Sequence, residues 1–197
     1  MLMRTYLDLT TEAHASLTAM DQAAGDGDFG DNLRDALRLV DSRMPDDAGL
    51  AVEFAVAATC FLDEVGGTSG PLIGLLLQEI AAALAAAPAG RSEVDDALVA
   101  GLAAGIAAVQ RVGEAQVGDR TMLDSLVPAL DLLTEAPRPV DWAAVAAEAR
   151  RAAEATAGLK ARMGRASYVG ERALGTPDAG AVGMALFFAA LAQERTA

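Results

Sequence analysis

The chain has 197 residues, of which 53% are hydrophobic and only 4% aromatic, and its formal net charge is −13. Because runs of β-branched and aromatic residues are scarce while Ala and Leu are abundant, the composition predicts an all-α fold. The acidic balance makes nucleic acid a poor candidate partner, since phosphate backbones need a basic surface. A polyphosphate can still bind if divalent cations screen the repulsion.

Hydrophobic periodicity and helix-stop residues predict about eight helices. Pro71 falls in the first turn of the fourth helix, a favoured position for proline. Ser92 is expected to cap the fifth helix, and Thr121 the sixth, where Asp124 three residues later is close to a capping box. The predicted helices cover residues 3–23, 29–44, 50–65, 69–87, 92–112, 121–136, 141–163 and 178–194.

Gly101 and Gly105 lie four residues apart in the fifth predicted helix, a spacing that favours close packing against another helix.

No linker or internal repeat divides the chain, so one domain over residues 1–197 is expected. No segment is predicted to span a membrane or to act as a signal peptide. Cys60, the single cysteine, is expected to be buried, and a reducing, cytoplasmic location follows. His14, the single histidine, is interpreted as a surface or packing residue, which excludes a histidine-based triad.

Four glycine-rich loops connect the predicted helices. A helical protein needs only short polar turns at these places, so four such loops predict backbone that closely approaches a ligand. In chain order they are AGDGDFGDN from Ala24 to Asn32, GGTSG from Gly66 to Gly70, GEAQVGDRT from Gly113 to Thr121 and GRASYVGERALGTPDAG from Gly164 to Gly180.

The first loop contains Asp26 and Asp28, and Asp21 lies just before it. These three clustered aspartates repel one another unless a cation neutralises them. Oxygen ligands without histidine or cysteine favour Mg²⁺ or Ca²⁺ over zinc. An EF-hand starting at Asp26 would need glycine where Asp31 stands and glutamate where Leu37 stands, so that motif is excluded. The alternative to a magnesium site is an acidic turn that caps a helix.

The other loops contain residue types that bind phosphate. The GGTSG loop offers free N–H groups, two hydroxyls and a helix N-terminus, although its glycine spacing is not that of a Walker motif and an ordinary helix start has the same residues. The fourth loop carries Arg165, Arg172 and Asp178; its arginines could pair with phosphate or form intramolecular ion pairs on a solvated surface. Taken together, the loops indicate a site that binds phosphates, a divalent metal and a nucleotide base.

Four segments resemble the DhaL (DAK2-type) nucleotide-binding subunits of dihydroxyacetone kinases: Asp21 with GDGDFG, GGTSGPL, VGDRTMLDSLVPAL and GRASYVGERALGTPDAGA. They span nearly the whole chain in the expected order. The resemblance implies a barrel of eight antiparallel helices with ADP or ATP at one end. It also implies two Mg²⁺ ions, held by Asp21, Asp26 and Asp28, that bridge the nucleotide phosphates.

The resemblance further implies roles for individual residues. Thr68 and Ser69 would contact the phosphates, Gly113 and Met122 would border the adenine, and Arg165 would be the catalytic residue that stabilises charge on the moving phosphoryl group. The nucleotide-binding set that it implies is Phe29, Gly30, Asp31, Asn32, Thr68, Ser69, Gly113, Met122, Arg165, Asp178, Ala179 and Gly180.

Two positions depart from the family pattern: Phe29 stands where histidine is usual, and Ala179 stands where proline is usual. A phenylalanine side chain cannot hydrogen-bond a phosphate or ribose, so its ring can only pack or stack. These departures bear on the donor and the substrate more than on nucleotide binding itself.

In this family a separate subunit or domain holds the ketose covalently through a histidine, so the chain is expected to be a kinase subunit that is inactive without its DhaK-like, substrate-binding partner. Its phosphate would come from ATP, or from a phosphotransferase-system protein that recharges bound ADP. Two alternatives are a nucleotide domain for another acceptor, such as a fatty acid, and a nucleotide-loaded regulatory binding protein. The oligomeric state is left open, a homodimer being one option.

Overall fold

The computed structural model describes residues 1–196, and this part of the chain contains eight α-helices and no β-strand. Three short 3₁₀ helices, Thr156–Gly158, Arg165–Tyr168 and Gly170–Ala173, lie between the last two α-helices. The α-helices are α1 Leu2–Ala24, α2 Phe29–Arg43, α3 Leu50–Glu64, α4 Ser69–Ala86, α5 Arg91–Gly113, α6 Leu123–Glu135, α7 Trp142–Ala155 and α8 Ala179–Thr196.

The helices form a closed ring. Each one packs against the next along the chain, and α8 packs against α1. Because most connections are short, neighbouring helices run antiparallel, and the even-numbered helices all begin at the same end. The predicted all-α barrel of eight antiparallel helices is confirmed.

Buried residues from all eight helices make one hydrophobic cluster. Several of its aromatic residues lie around Phe187, whose ring centroid is 5.7 Å from that of Tyr6 and 6.0 Å from that of Phe54, both in edge-to-face geometry. The Tyr6 hydroxyl donates to the Gly183 carbonyl at 2.9 Å, so its buried polar atom is satisfied. Cys60 is buried, as predicted.

The predicted close packing at Gly101 and Gly105 is confirmed. A Cβ atom at Gly101 would lie 2.6 Å from the Cα of Ile80, and one at Gly105 would lie 3.0 Å from the Cα of Leu76. Both distances are to the backbone of α4, so only glycine permits this approach of α4 and α5.

Helix α4 is the one described helix that is long and apolar enough to cross a membrane, judged by length and composition alone, with a mean hydropathy of 1.5 over 18 residues. Core helices of water-soluble proteins meet the same criterion. In this fold α4 packs between α3 and α5.

Two predicted helix ends were wrong. The seventh helix ends at Ala155 instead of extending to Met163, because Thr156 turns the chain: its hydroxyl donates to the Ala153 carbonyl and accepts the N–H of Asp178 at 2.7 Å. This link ties the end of α7 to the start of α8. Ser92 does not cap the fifth helix, since α5 already begins at Arg91.

The start of α6 is close to the prediction. The N–H of Thr121 donates to Asp124 Oδ2 at 2.8 Å, which is half of a capping box. The Thr121 hydroxyl accepts instead from the N–H of Leu123, two residues on, at 3.2 Å. Regular helix therefore begins at Leu123, after a short turn.

Candidate functional site

A cavity of about 250 Å³ opens at the end of the barrel where the even-numbered helices begin. The four glycine-rich loops, which are far apart in sequence, all line it. The predicted site residues that border the cavity are Asp21, Asp26, Asp28, Phe29, Asn32, Thr68, Ser69, Gly113, Met122, Arg165, Asp178, Ala179 and Gly180.

The first turns of α2, α4, α6 and α8 all contribute residues to the cavity wall. The first N–H groups of a helix lack partners within the helix and carry partial positive charge, so they favour a bound anion. In an antiparallel ring the same end also carries the C-terminal turns of the odd-numbered helices, which favour a cation. Asp21 lies in such a turn, at the end of α1. The cavity therefore offers both kinds of helix end.

The three clustered aspartates lie along one rim of this cavity. The Asp21 carboxylate accepts the N–H of Phe29 at 3.0 Å, which fixes its direction. Asp28 directly precedes α2, but its side chain makes no capping hydrogen bond to the helix. Within the cluster, Asp21 therefore caps the first N–H group of α2, whereas Asp28 does not act as a helix cap.

Gly27 makes the turn between Asp26 and Asp28. Its φ is +87°, in the left-handed region, and a Cβ atom there would lie 2.5 Å from the Gln22 side chain. A residue with a side chain would be both strained and obstructed at this position. Glycine here allows the two carboxylates on either side of it to border the same cavity.

The Asp26 carboxylate forms an ion pair with Arg165. Within the described residues, the aspartates do not converge closely enough to hold a metal ion as they stand. Their chemistry nevertheless fits a hard divalent ion such as Mg²⁺, because all three are oxygen donors on one rim. Arg165 contacts one of the two Asp26 oxygens, so an ion that uses Asp26 would either share this carboxylate with Arg165 or displace it.

Both departures from the family pattern belong to the cavity wall. The Phe29 ring is only 8% exposed and packs on α8, where a Cβ atom at Gly183 would lie 2.9 Å from the ring. Through its backbone, Phe29 also orients Asp21. Ala179 is buried as the first residue of α8.

Asp178 stands just before α8 and accepts the N–H of Ala181 at 2.8 Å. Burial raises the pKa of its carboxyl to about 6, although the hydrogen bond from Ala181 and the positive charge of Arg120 both act to lower it. Asp178 is therefore a cavity-wall carboxyl that accepts a proton more readily than an ordinary aspartate.

Gly30 and Asp31 are the two predicted site residues that do not border the cavity. A Cβ atom at Gly30 would lie 2.6 Å from the Thr18 hydroxyl, so this glycine lets α1 and α2 pack closely. The Asp31 carboxylate lies 2.9 Å from His14 Nε2 and 2.6 Å from Arg34 Nη2, and hydrogen bonding to His14, with the Arg34 charge, lowers its pKa. These contacts lie on the outer surface, and His14 is a partly exposed packing residue, as expected.

Arg120 borders the cavity but was not singled out from the sequence. Its side chain is only 1% exposed, and Nη2 donates to the carbonyls of Ala173 and Thr176. Asp124, whose carboxylate accepts the N–H groups of Gly118 and Thr121, shapes the loop on which Arg120 lies. An arginine in a glycine-rich loop is usually exposed, so the sequence carries no sign of this burial.

The DAK2 domain family model matches residues 23–193. Over 90% of this chain, the sequence is 36% identical to the ADP-binding subunit DhaL of PEP-dependent dihydroxyacetone kinase 1 from Listeria innocua, covering 85% of that protein. It is also 36% identical to the L-erythrulose 1-kinase of Mycolicibacterium smegmatis, over 99% of this chain. The chain spans only about a third (35%) of the length of that kinase.

The structure is similar to that of the dihydroxyacetone kinase from C. freundii in complex with AMP-PNP and Mg²⁺. The TM-score is 0.75 at 29% identity, over 98% of this chain and 33% of that one. The resemblance drawn from the four loops is thus confirmed by sequence and by fold, and the chain belongs to the DAK2 domain family.

Proposed function

We propose that this chain is the magnesium-dependent, ADP- or ATP-binding subunit of a dihydroxyacetone-type kinase, with residues 1–197 forming one nucleotide-binding domain. The main support is the cavity at which an aspartate rim meets the N-terminal turns of four helices. A nucleotide chelated to a metal has both the anionic and the cationic part that such a site accommodates. Membership of the family of the Listeria ADP-binding subunit adds to this support.

Different parts of the cavity wall are proposed to bind the phosphates and the metal ions. Thr68 and Ser69, at the N-terminus of α4, donate hydrogen bonds to phosphate oxygens. Asp21, Asp26 and Asp28 hold two Mg²⁺ ions, which when bound screen the phosphate charge.

The adenine is proposed to lie on the apolar part of the wall. This part is formed by Leu72, Val109, Met122 and Met163, and Gly113 leaves room for a flat ring beside them. Apolar side chains with few polar groups are typical of base-binding pockets. The Phe29 ring packs against α8 at Gly183 and so supports the cavity wall next to the aspartates.

Arg165 is the proposed catalytic residue. It lies at the cavity rim and already pairs with Asp26, so it can lie close to the same phosphates. A guanidinium stabilises the charge that spreads over the oxygens of a phosphoryl group during transfer.

The phosphoryl acceptor is proposed to be a short ketose, such as dihydroxyacetone or erythrulose, held by a separate DhaK-like subunit. Relatives named for these ketoses support the substrate class. The donor is either ATP, or a phosphotransferase-system protein that rephosphorylates bound ADP, as the name of the PEP-dependent Listeria relative suggests. A reducing, cytoplasmic location agrees with the single buried cysteine.

The test has two stages. First, titration calorimetry with ADP, with and without Mg²⁺, should detect binding only when the metal is present. Second, the chain mixed with a DhaK-like subunit and dihydroxyacetone or erythrulose should form the ketose phosphate, either with Mg-ATP or with PEP and phosphotransferase proteins, whereas the chain alone should not. Failure to bind Mg-ADP would refute the proposal, and binding without transfer in either mixture would refute its kinase part.

A further inference from the structure

The guanidinium of Arg120 is buried in the cavity wall with only part of its hydrogen-bonding capacity used. Nη2 donates to the carbonyls of Ala173 at 3.2 Å and Thr176 at 2.9 Å. Nε and Nη1 have no hydrogen-bond partner among the described residues. Buried donors are nearly always paired, so two unpaired N–H donors beside a cavity indicate a missing acceptor.

The charge of Arg120 also has no ion-pair partner, although Asp178 is near enough for this charge to lower the pKa of its carboxyl. Guanidinium stays protonated in proteins, and no carboxylate in the described part of the chain lies within ion-pair distance of Arg120. A buried cation without a partner costs several kcal/mol, and it is retained where something else offsets this cost.

The backbone at Arg120 is strained as well. Its φ is +63°, in the left-handed region that residues with side chains seldom adopt. Burial, an unpaired charge and an unusual backbone conformation thus occur at one residue that borders the cavity. Such combinations are characteristic of positions kept for binding a ligand.

We propose that Arg120 is a nucleotide-binding residue, whose free N–H groups donate to oxygens of the nucleotide phosphates. This inference rests on the proposed function. An anionic oxygen is the acceptor that satisfies both the unpaired donors and the unpaired charge, which a neutral base or sugar does not do. The phosphates are also favoured here because Arg120 lies just before the N-terminus of α6.

Arg120 has a second connection, to the segment that carries Arg165. The two carbonyls that accept from its Nη2 belong to Ala173, the last residue of the third 3₁₀ helix, and to Thr176, in the connection to α8. Both lie on the part of the chain that leads from Arg165 to Asp178. Arg120 therefore joins the α6 side of the cavity to the segment on the opposite rim. A purely structural role would consist of this connection alone, so the test has to separate it from phosphate binding.

Titration calorimetry of R120M and R120K with Mg-ADP and with adenosine makes that separation. R120M should weaken Mg-ADP binding roughly 30-fold, the scale of a hydrogen bond to a charged group, and adenosine binding by less than about threefold. R120K keeps the charge but not the donor geometry, and it should fall between R120M and wild type. The matched control is R162M, since Arg162 is 71% exposed and pairs with Asp119; its Mg-ADP affinity should stay unchanged.

Equal losses for Mg-ADP and adenosine would make Arg120 only a structural connection and overturn the proposal, and so would an unchanged Mg-ADP affinity. If R120M does not fold, R120K and an NMR measurement on the wild-type protein distinguish phosphate binding from a purely structural role of Arg120. The Nε–H resonance of Arg120, identified by its absence in R120K, should shift with Mg-ADP and not with adenosine. A resonance that does not move would refute the proposal. Failure of wild type to bind Mg-ADP would instead refute the proposed function, before any variant is made.

Discussion

The two ends of the barrel differ in the residues of their connections and in how their buried charges are paired. At the end away from the cavity, the connections contain four of the chain's seven prolines, Pro45, Pro88, Pro137 and Pro139. At the cavity end the connections are rich in glycine and carry the aspartates and arginines of the site. Proline ends a helix and stiffens a turn, whereas glycine lets the backbone approach a ligand.

Buried charges differ between the ends in the same way. Away from the cavity, the carboxylate of the buried Asp95 accepts from Arg195 at 2.7 Å and from the Trp142 indole at 3.2 Å. At the cavity end, the buried Arg120 keeps two donors unpaired. The first arrangement is complete within the fold, whereas the second leaves donors free for the ligand proposed above. Changes at the other end should therefore alter stability without altering binding, whereas most changes at the cavity end should alter binding.

The largest expected effect is that of D28N on nucleotide binding. The change removes one carboxylate charge from the proposed metal rim without removing a helix cap, since Asp28 makes no capping bond. Mg-dependent ADP affinity should fall by at least about 100-fold, measured by calorimetry, with the helical circular dichroism unchanged. D47N, the same change in the exposed connection at the other end, is the control; an unchanged affinity in D28N would argue against the metal assignment.

At the other end, D95A should destabilise the fold by about 3 kcal/mol in urea unfolding, because it leaves the partly buried Arg195 without its partner. The Mg-ADP affinity should stay within about twofold of wild type, since Asp95 lies away from the cavity. D96A, which removes an exposed ion pair with Arg138, should cost less than about 1 kcal/mol. A large loss of nucleotide affinity in D95A would contradict the proposed separation between the two ends.

The smallest expected effect concerns pH and Asp178. Its pKa is raised from 3.8 to about 6 in the folded protein, so the native state binds more protons than the unfolded state between these values. The stability of wild type should therefore fall relative to D178N as pH rises from 4 to 7. The expected change is about 2 kcal/mol, reduced from the value for full burial because the carboxyl is only partly buried.

This comparison is best made by urea unfolding in EDTA, so that no metal acts on the site. Asn replaces Asp well as a helix cap, so the difference between the two proteins isolates the ionisation of the carboxyl. A wild-type to D178N difference that is constant between pH 4 and pH 7 would show that Asp178 has an ordinary pKa in the folded protein.

Much of this architecture could be predicted from the sequence, because helix ends depend on local residues. Most helix boundaries were predicted from the glycines and prolines that end the helices. Most residues of the cavity wall were predicted from the four glycine-rich loops. The end of α7 was missed because it depends on a hydrogen bond between Thr156 and Asp178, which are far apart in sequence.

Side-chain direction was harder to predict. Asp28 and Asp31 are three residues apart in an acidic run, yet Asp28 borders the cavity and Asp31 pairs with His14 on the outer surface. The difference depends on the start of α2, which turns Asp31 towards α1. The burial of Arg120 likewise depends on carbonyls more than fifty residues away, so no local pattern indicates it.

The alternation of helix ends around the cavity has a thermodynamic consequence. The end of α1 with its Asp21 favours a cation, and the first turns of the even-numbered helices favour an anion. In the proposed site, metal and nucleotide would therefore each create the electrostatic environment that the other needs. Their binding free energies should therefore be coupled, and by reciprocity magnesium should tighten ADP as much as ADP tightens magnesium. Either one alone would bind weakly, and the protein would respond to the complex of the two.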